Sequence, residues 1–372
     1  MKLGLIINPV AGIGGSVGLK GSDGEEVQKL ALEKGGTYQA NKKAKIALNQ
    51  IKDYIDKVTF ITGFGEMGEN ALKELGFSYK VVGENKEKTT FEDTENLAKE
   101  MVKENIDLLV FAGGDGTARN IFNAVELSVP CVGIPAGVKI HSAVYANNPK
   151  DAGLVIKEFI KNPKDLKIEN SEVMDIDEDK FRQNIVEAKL YGYLQVPRIQ
   201  NLMQGSKSPG SSSEDEIEGM SAEIEDRIKA GNEDTCYIFG TGGTTYAILK
   251  DLGFEGSLLG VDILYKNELV IKDGTEGEIY DFIKDKEVKL IVTAIGGQGH
   301  IFGRGNQQLS PRVLRKVGKD NIWIVASHSK LYGIPDSFLR IDTSDEELDK
   351  ELSGYYKVIM DWKRIIVYKA QG

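Results

Sequence analysis

A chain of 372 residues, 41% hydrophobic and 28% charged, can bury a sizeable core, and its length suits two or three ordinary folded domains. Acidic residues outnumber basic ones 57 to 47, for a formal charge of −10, which argues against non-specific binding to nucleic acid or to anionic membranes. No run of about 18 apolar residues occurs, so no membrane-spanning helix is expected, and the opening Met1-Lys-Leu-Gly-Leu-Ile-Ile is too short an apolar run for a signal peptide.

Leu3 to Ile7 reads as a buried strand that empties into the glycine-rich loop Asn8-Pro-Val-Ala-Gly-Ile-Gly-Gly15. Ligands of open α/β sheets bind at such strand ends, so Asn8 is either an amide donor to a ligand or a residue of an Asx turn before Pro9. Helices follow at Glu25 to Lys34, Lys42 to Ile55, Met67 to Leu75 and Glu92 to Glu104, with strands at Val58 to Ile61 and Tyr79 to Val82. Strands alternating with helices imply parallel β-α-β units, hence an α/β, doubly wound, Rossmann-like sheet.

The densest signal comes next. Asp107 to Ala112 is an apolar strand, Gly113-Gly114-Asp115-Gly116-Thr117 is a sharp turn, and Ala118 to Leu127 is a helix. Three glycines let backbone N–H groups approach phosphate oxygens with no Cβ in the way, and the helix N-terminus adds a favourable dipole. The competing account is a tight turn whose Asp115 caps the helix. The strand Cys131 to Ile134 leads to Pro135-Ala-Gly-Val-Lys139, where Gly137 would admit a phosphate or ribose and Lys139 would supply a point charge. His141 and Ser142 are further polar candidates. His141, one of three histidines, reads first as a hydrogen-bonded residue at a helix start, with general acid–base work as the alternative. After the helix Asp151 to Lys161, Asn162-Pro-Lys-Asp165 marks a domain boundary, giving domains 1–165 and 166–372.

Leu166 to Asp177 and Glu187 to Val196 read as strands with no long helix between them, so an antiparallel, β-rich second domain is expected, with Gly192 marking a bulge. Residues 205–213 form a polar Gly-Ser-Pro loop, either a surface connection or a lid. The acidic helix Glu214 to Lys229 carries Ile217, Met220, Ile224 and Ile228 at helical spacing, a stripe for core packing or a subunit contact. A second glycine turn, Gly240-Thr241-Gly242-Gly243-Thr244-Thr245, joins the strand Cys236 to Phe239 to the helix Tyr246 to Leu252, and its hydroxyls suit phosphate or ribose. Asp262 stands near a strand end, as a nucleotide contact or a strand terminator. A third turn, with Gly296, Gly297, Gln298, Arg304 and Asn306, follows the strand Lys289 to Ala294; Arg304 is a phosphate ligand or one half of a surface salt bridge. The helix Pro311 to Val317, the strand Ile322 to Ala326 with its outlet Ser327-His-Ser-Lys330, the helix Leu348 to Leu352 and two terminal strands finish the chain. Cys131 and Cys236, far apart and each in an apolar context, suit buried free thiols in a reducing, cytoplasmic protein.

The turn Gly113 to Thr117 resembles the signature shared by NAD kinases, diacylglycerol kinases and sphingosine kinases. Gly133 to Ser142, Ile295 to Gln307 and Ile6-Ile-Asn-Pro9 narrow the resemblance to the ATP-NAD kinase family, in the branch that includes the acetoin-catabolism protein X. The resemblance implies a kinase transferring the γ-phosphate of ATP, with Mg²⁺, to the adenosine 2′-hydroxyl of NAD, in a dimer or tetramer. It implies that Asp115 contacts the accepting hydroxyl and helps remove its proton, so that Asp115→Asn ends turnover with the fold intact. The resemblance also implies that Gly113, Gly114, Gly116 and Thr117 wall the phosphates, and it supports the Gly240 to Thr245 turn as a nucleotide loop. NAD kinases carry an Asn-Glu pair ahead of that second turn. Here Asn232-Glu233 lies closer to Gly240 than their spacing, and Asn267-Glu268 follows it. The acceptor is therefore open between NAD and another hydroxyl, a small polyol or a lipid, and a catalytically silent nucleotide-binding accessory protein is the remaining alternative.

Overall fold

Apolar runs make strands that can be covered on both faces, and the first half of the chain carries five short strands, of which Tyr79 to Val81 at the sheet edge is only half-buried. In the computed structural model, which describes every residue except 16, 20–24, 87, 138–139, 177–187, 200–201, 205–213, 296–297 and 335–336, these runs are β1 (Lys2–Ile7), β2 (Thr59–Thr62), β3 (Tyr79–Val81), β4 (Leu108–Gly113) and β5 (Cys131–Pro135). They form one sheet in the order β3-β2-β1-β4-β5, parallel throughout. The chain winds outward from β1 to β3, then returns to lay β4 on the other side of β1. That reversal makes the carboxyl ends of β1 and β4 a topological switch point.

The chain divides into two compact units. The first comprises Met1–Ile13, Gly21–Gln28 and Thr37–Ser206; the second comprises Gly14–Lys20, Lys29–Gly36 and Lys207–Gly372. Helix α1 (Glu25–Glu33) is shared between them. In the first unit, α2 (Ala40–Asn49) packs with α6 (Pro149–Lys161), and α4 (Phe91–Lys103) packs with α5 (Asp115–Val125); α3 (Glu69–Leu75) precedes β3. Local chemistry sets the helix ends. Gly76 closes α3 in the left-handed region at φ +78°, and Asn148 caps α6 by accepting the Asp151 N–H at 2.8 Å, with Pro149 in the first turn. The helix expected over 42–55 stops at Asn49 and continues as a 3₁₀ turn over Lys52–Lys57.

The antiparallel ribbon β6 (Ile168–Ile176) with β7 (Ala188–Pro197) lies in the first unit and packs on α5. Its register shifts at Tyr191, next to Gly192, where a Cβ would stand 2.5 Å from the Phe122 ring. The boundary expected at 165/166 falls between α6 and β6.

The second unit holds α7 (Glu214–Ala230), β8 (Thr235–Phe239), α8 (Gly243–Asp251), β9 (Asp262–Tyr265), β10 (Glu268–Ile271), α9 (Glu276–Ile283), β11 (Glu287–Thr293), α10 (Pro311–Val317), β12 (Ile322–Val325), α11 (His328–Tyr332), β13 (Leu339–Arg340), α12 (Glu346–Leu352), β14 (Gly354–Asp361) and β15 (Arg364–Gln371). Its sheet runs β10-β9-β8-β11-β12-β14-β15-β13. The expectation of an antiparallel domain is corrected here: β8, β11, β12 and β14 are mutually parallel, and antiparallel pairs occur only toward the margins. Helices α9, α10 and α11 precede or follow those strands, and parallel neighbours require such crossovers. The α7 stripe is core: Met220 and Ile224 are fully buried with Phe239, Ile291, Val325 and Ile359, and Ile217 and Ile228 pack on them.

Candidate active site

The switch point of the first sheet gathers three turns. Asn8, just past β1, donates its backbone N–H to the Ala112 carbonyl at 2.9 Å and its side-chain amide to Thr117 Oγ1 at 3.0 Å. Its Oδ1 accepts the Val10 N–H at 3.3 Å, so the Asx turn is present as well. The Gly113 carbonyl accepts the N–H groups of Ala136 and Gly137 at 2.9 and 2.8 Å, which ties the turn after β4 to the turn after β5. The two turns pass backbone against backbone: a Cβ on Gly137 would stand 2.6 Å from Gly114 Cα, and one on Gly113 would stand 2.2 Å from Thr117 Oγ1. These glycines therefore have a packing reason of their own, beside any ligand. Gly114, Asp115 and Gly116 are partly exposed at the start of α5, whereas Thr117 is buried.

Asp115 is the first residue of α5, and its carboxylate is engaged by the loop after β5. Oδ2 accepts the His141 backbone N–H at 2.8 Å and lies 3.3 Å from His141 Nδ1; Oδ1 accepts the Ser142 N–H at 3.0 Å. The side chains are 11% and 5% exposed. His141 sits in irregular chain rather than at a helix start. Ser142 Oγ accepts the Met174 N–H at 2.9 Å, and the Tyr145 hydroxyl donates to the Gly114 carbonyl at 2.5 Å. Asp115 thus has a loop-holding task that the sequence did not disclose, so Asp115→Asn also costs one of two backbone acceptors. Lys139 lies outside the described residues, as do Gly296 and Gly297.

In the second unit, the turn Gly240 to Thr245 leaves β8 and opens α8. Gly242 takes φ +130° and donates its N–H to the Leu258 carbonyl at 3.0 Å. Thr241 is half-buried, Gly243 is exposed, and Thr244 and Thr245 are buried. Thr245 Oγ1 donates to the Gly242 carbonyl at 2.9 Å, and Thr244 Oγ1 accepts from Lys330 Nζ at 2.6 Å. Lys330, in α11 just past β12, also reaches Thr293 Oγ1 at the end of β11, at 3.2 Å. A buried ammonium therefore stands at the carboxyl ends of β8, β11 and β12. Sequence reasoning passed over Lys330, although its place at a strand outlet was a usable signal.

The third glycine run is more interior than expected. Gln298, Asn306 and Arg304 are all buried, so Arg304 lies inside the fold rather than on its surface. Asn306 folds the run on itself, donating to the Ile301 carbonyl at 2.8 Å and accepting the Gly303 N–H at 3.0 Å. Asp262 is a strand-start clamp: its carboxylate accepts the Ser257 N–H and hydroxyl, both at 2.7 Å, and the Asp273 N–H at 2.9 Å. Burial pushes its carboxyl above the usual range, against those hydrogen bonds.

Glycine turns at the switch point of a parallel α/β sheet are an architecture that holds nucleotides. The sequence matches the ATP-NAD kinase N-terminal domain over residues 3–164 and the ATP-NAD kinase C-terminal domain over residues 232–368. The chain belongs to the ATP-NAD kinase family. Comparison with curated proteins gives no match. A solved structure of a "putative diacylglycerol kinase" from Bacillus anthracis str. Sterne matches at 15% identity and a TM-score of 0.26, covering 45% of this chain and 41% of that one. Another diacylglycerol kinase structure from that strain matches at 18% identity and a TM-score of 0.21, covering 32% of this chain and 45% of that one. The chain spans less than half the length of either structure. Among the described residues, no helix is long and apolar enough to cross a membrane.

Proposed function

We propose that the chain is an ATP-dependent NAD kinase, transferring the γ-phosphate of ATP to the 2′-hydroxyl of the adenosine ribose of NAD to give NADP. The observation that carries this reading is the convergence of Asn8, the turn Gly113 to Thr117 and Gly137 at the switch point of the first sheet, in a chain of this family. Phosphoryl transfer asks a protein mainly for positioning and charge stabilisation. Backbone N–H groups of the glycine turns would hold phosphate oxygens, Asp115 and its loop would face the accepting hydroxyl, and Lys139, Arg304 and the turn Gly240 to Thr245 would add nucleotide contacts. Mg²⁺ arrives as MgATP, part of the substrate, bridging phosphate oxygens. Among the described residues no three His, Cys, Asp or Glu side chains form a metal site of their own. A cytoplasmic, homo-oligomeric enzyme completes the reading.

One observation favours a second reading. Asn232-Glu233 precedes β8, and Asn267 lies in the turn between β9 and β10, so both Asn-Glu pairs stand at the amino end of β8, the far end of that strand from Gly240. Neither matches the pair by which NAD kinases hold the dinucleotide, which suits a different hydroxyl acceptor such as a small polyol or a lipid. The deciding assay supplies purified protein with MgATP and NAD and detects NADP with an NADP-specific dehydrogenase. NADP formation is expected. ADP release with a polyol or lipid but not with NAD would move the chain to the second reading, and ATP binding by calorimetry without turnover on any acceptor would make it an accessory protein.

A further inference from the structure

The acidic chain carries a basic, apolar strip in its second unit. Residues 355–369, from the hairpin of β14 and β15, hold Lys357, Lys363, Arg364 and Lys369 against Asp361 alone, in a molecule of formal charge −10. All four cations are exposed, and among the described residues none stands in an ion pair. Side chains alternate between the two faces of a strand, so Tyr355, Lys357 and Ile359 share one face of the sheet with their cross-strand partners Lys369, Val367 and Ile365. Helix α7 covers that face only in part. Ile359 is fully buried with Met220 and Ile224 of α7, whereas Tyr355 is 71% exposed and Val367 65%. Trp362, in the turn of the hairpin, is half-exposed and donates its Nε1–H to Asp226 of α7 at 3.0 Å, and the Lys363 N–H donates to Glu223 Oε2 at 3.0 Å. The strip therefore adjoins α7, which exposes Asp215, Glu218, Glu225 and Asp226.

Exposed apolar side chains flanked by opposite charges make a surface for association. Basic and acidic flanks on one surface are also self-complementary: a twofold axis lays each strip on the acidic helix of the other copy and brings the apolar residues of both together. Pairing of bare strand edges is the competing geometry, since β13 reaches only Ala370 and Gln371 of β15. It would set Arg364 and Lys369 among the same cations of the other copy, and like charge along an edge opposes that. We propose that a second copy of this chain docks on the β14–β15 face, its α7 acids against Lys357, Lys363, Arg364 and Lys369. The inference rests on the homo-oligomeric part of the proposed reading and does not depend on which hydroxyl accepts phosphate.

The test is sedimentation velocity on the purified full chain without nucleotide, each variant being checked for folding by circular dichroism. Wild type is compared with Val367→Glu, with a basic-strip reversal (Lys357→Glu and Arg364→Glu) and with a helix reversal (Glu218→Lys and Glu225→Lys). Wild type is expected to sediment as a dimer, and Val367→Glu to raise the dimer Kd about tenfold or more. Each reversed protein alone should sediment as a monomer, and an equal mixture of the two should restore the dimer, because a mixed pair sets opposite charges together at both contacts. A wild type that stays monomeric at about 100 μM overturns the inference and the homo-oligomeric reading, and leaves the kinase reading to the NADP assay. A dimer whose Kd stays within about threefold of wild type in Val367→Glu and in both reversals overturns the inference alone, as does a mixture of reversed proteins that stays monomeric. Should Val367→Glu fail to fold, the two reversed proteins and their mixture decide.

Discussion

A lysine taken out of water needs its ammonium solvated by protein, and Lys330 obtains part of that solvation from the hydroxyls of Thr244 and Thr293. The arrangement ties the turn after β8, the end of β11 and the start of α11 to one charge. Lys330→Met keeps most of the stem and removes the donor, leaving two buried hydroxyls short of it. The expected cost is about 1–3 kcal/mol in urea unfolding. If the turn also carries nucleotide, ATP affinity by calorimetry should fall as well; a variant as stable as wild type would show that the two hydroxyls find other partners. The same residue marks the limit of reading a sequence. A lone lysine past a strand looks like solvated surface, and only three strand ends brought side by side give it a buried role. His141 follows the same logic: the sequence offered the imidazole, but the approach of Asp115 depends on β4 and β5 being neighbours.

At the scale of elements, two kinds of glycine occupy the candidate turns. Gly137 is required by the Gly114 backbone passing against it and Gly113 by the Thr117 side chain, whereas Gly243, the first residue of α8, is exposed and a Cβ there would meet nothing within 4 Å. Its φ lies outside the left-handed region, so Gly243→Ala should stabilise the fold by about 0.4–1 kcal/mol through the unfolded chain. If phosphate approaches this helix start, the same variant should bind ATP more weakly in calorimetry. Unchanged affinity would remove Gly243 from the nucleotide contacts. The βαβ alternation of the first unit was legible in the sequence, because fully buried strands such as β4 are continuous apolar runs bounded by glycine. β10 was not legible. It is a short, half-exposed strand entered through Lys266 and Asn267, both in the left-handed region at φ +50° and +60°, without the glycine that usually announces such a turn. The mixed order of the second sheet was hidden for another reason: strand direction is set by connections, and the ribbon β6–β7 gave the wrong precedent.

At the scale of the whole molecule, stability carries a titration of its own. Asp349 is pushed up to about 6, chiefly by burial, with the Thr343 N–H and hydroxyl, donating to Oδ1 at 2.8 and 2.6 Å, working in the opposite direction. Because the folded value lies above the ordinary 3.8, the group's contribution is fully present below about 4 and is lost as pH rises through about 6. Asp349→Asn keeps an oxygen acceptor for Thr343 and carries no charge. Its urea midpoint should therefore gain on wild type as pH is raised from about 4 to about 6 and hold the gain above that; a pH-independent difference would place the titration elsewhere. Each unit also closes one cysteine into its sheet, Cys131 in β5 and Cys236 in β8, with burial pushing the first thiol far up and the second up to about 12. Neither thiolate forms in the closed sheet near neutral pH. The molecule thus carries two native clocks: the rate at which an alkylating reagent tags each sulfur counts the openings of its own sheet, and a nucleotide that clamps one unit would slow one clock and leave the other running.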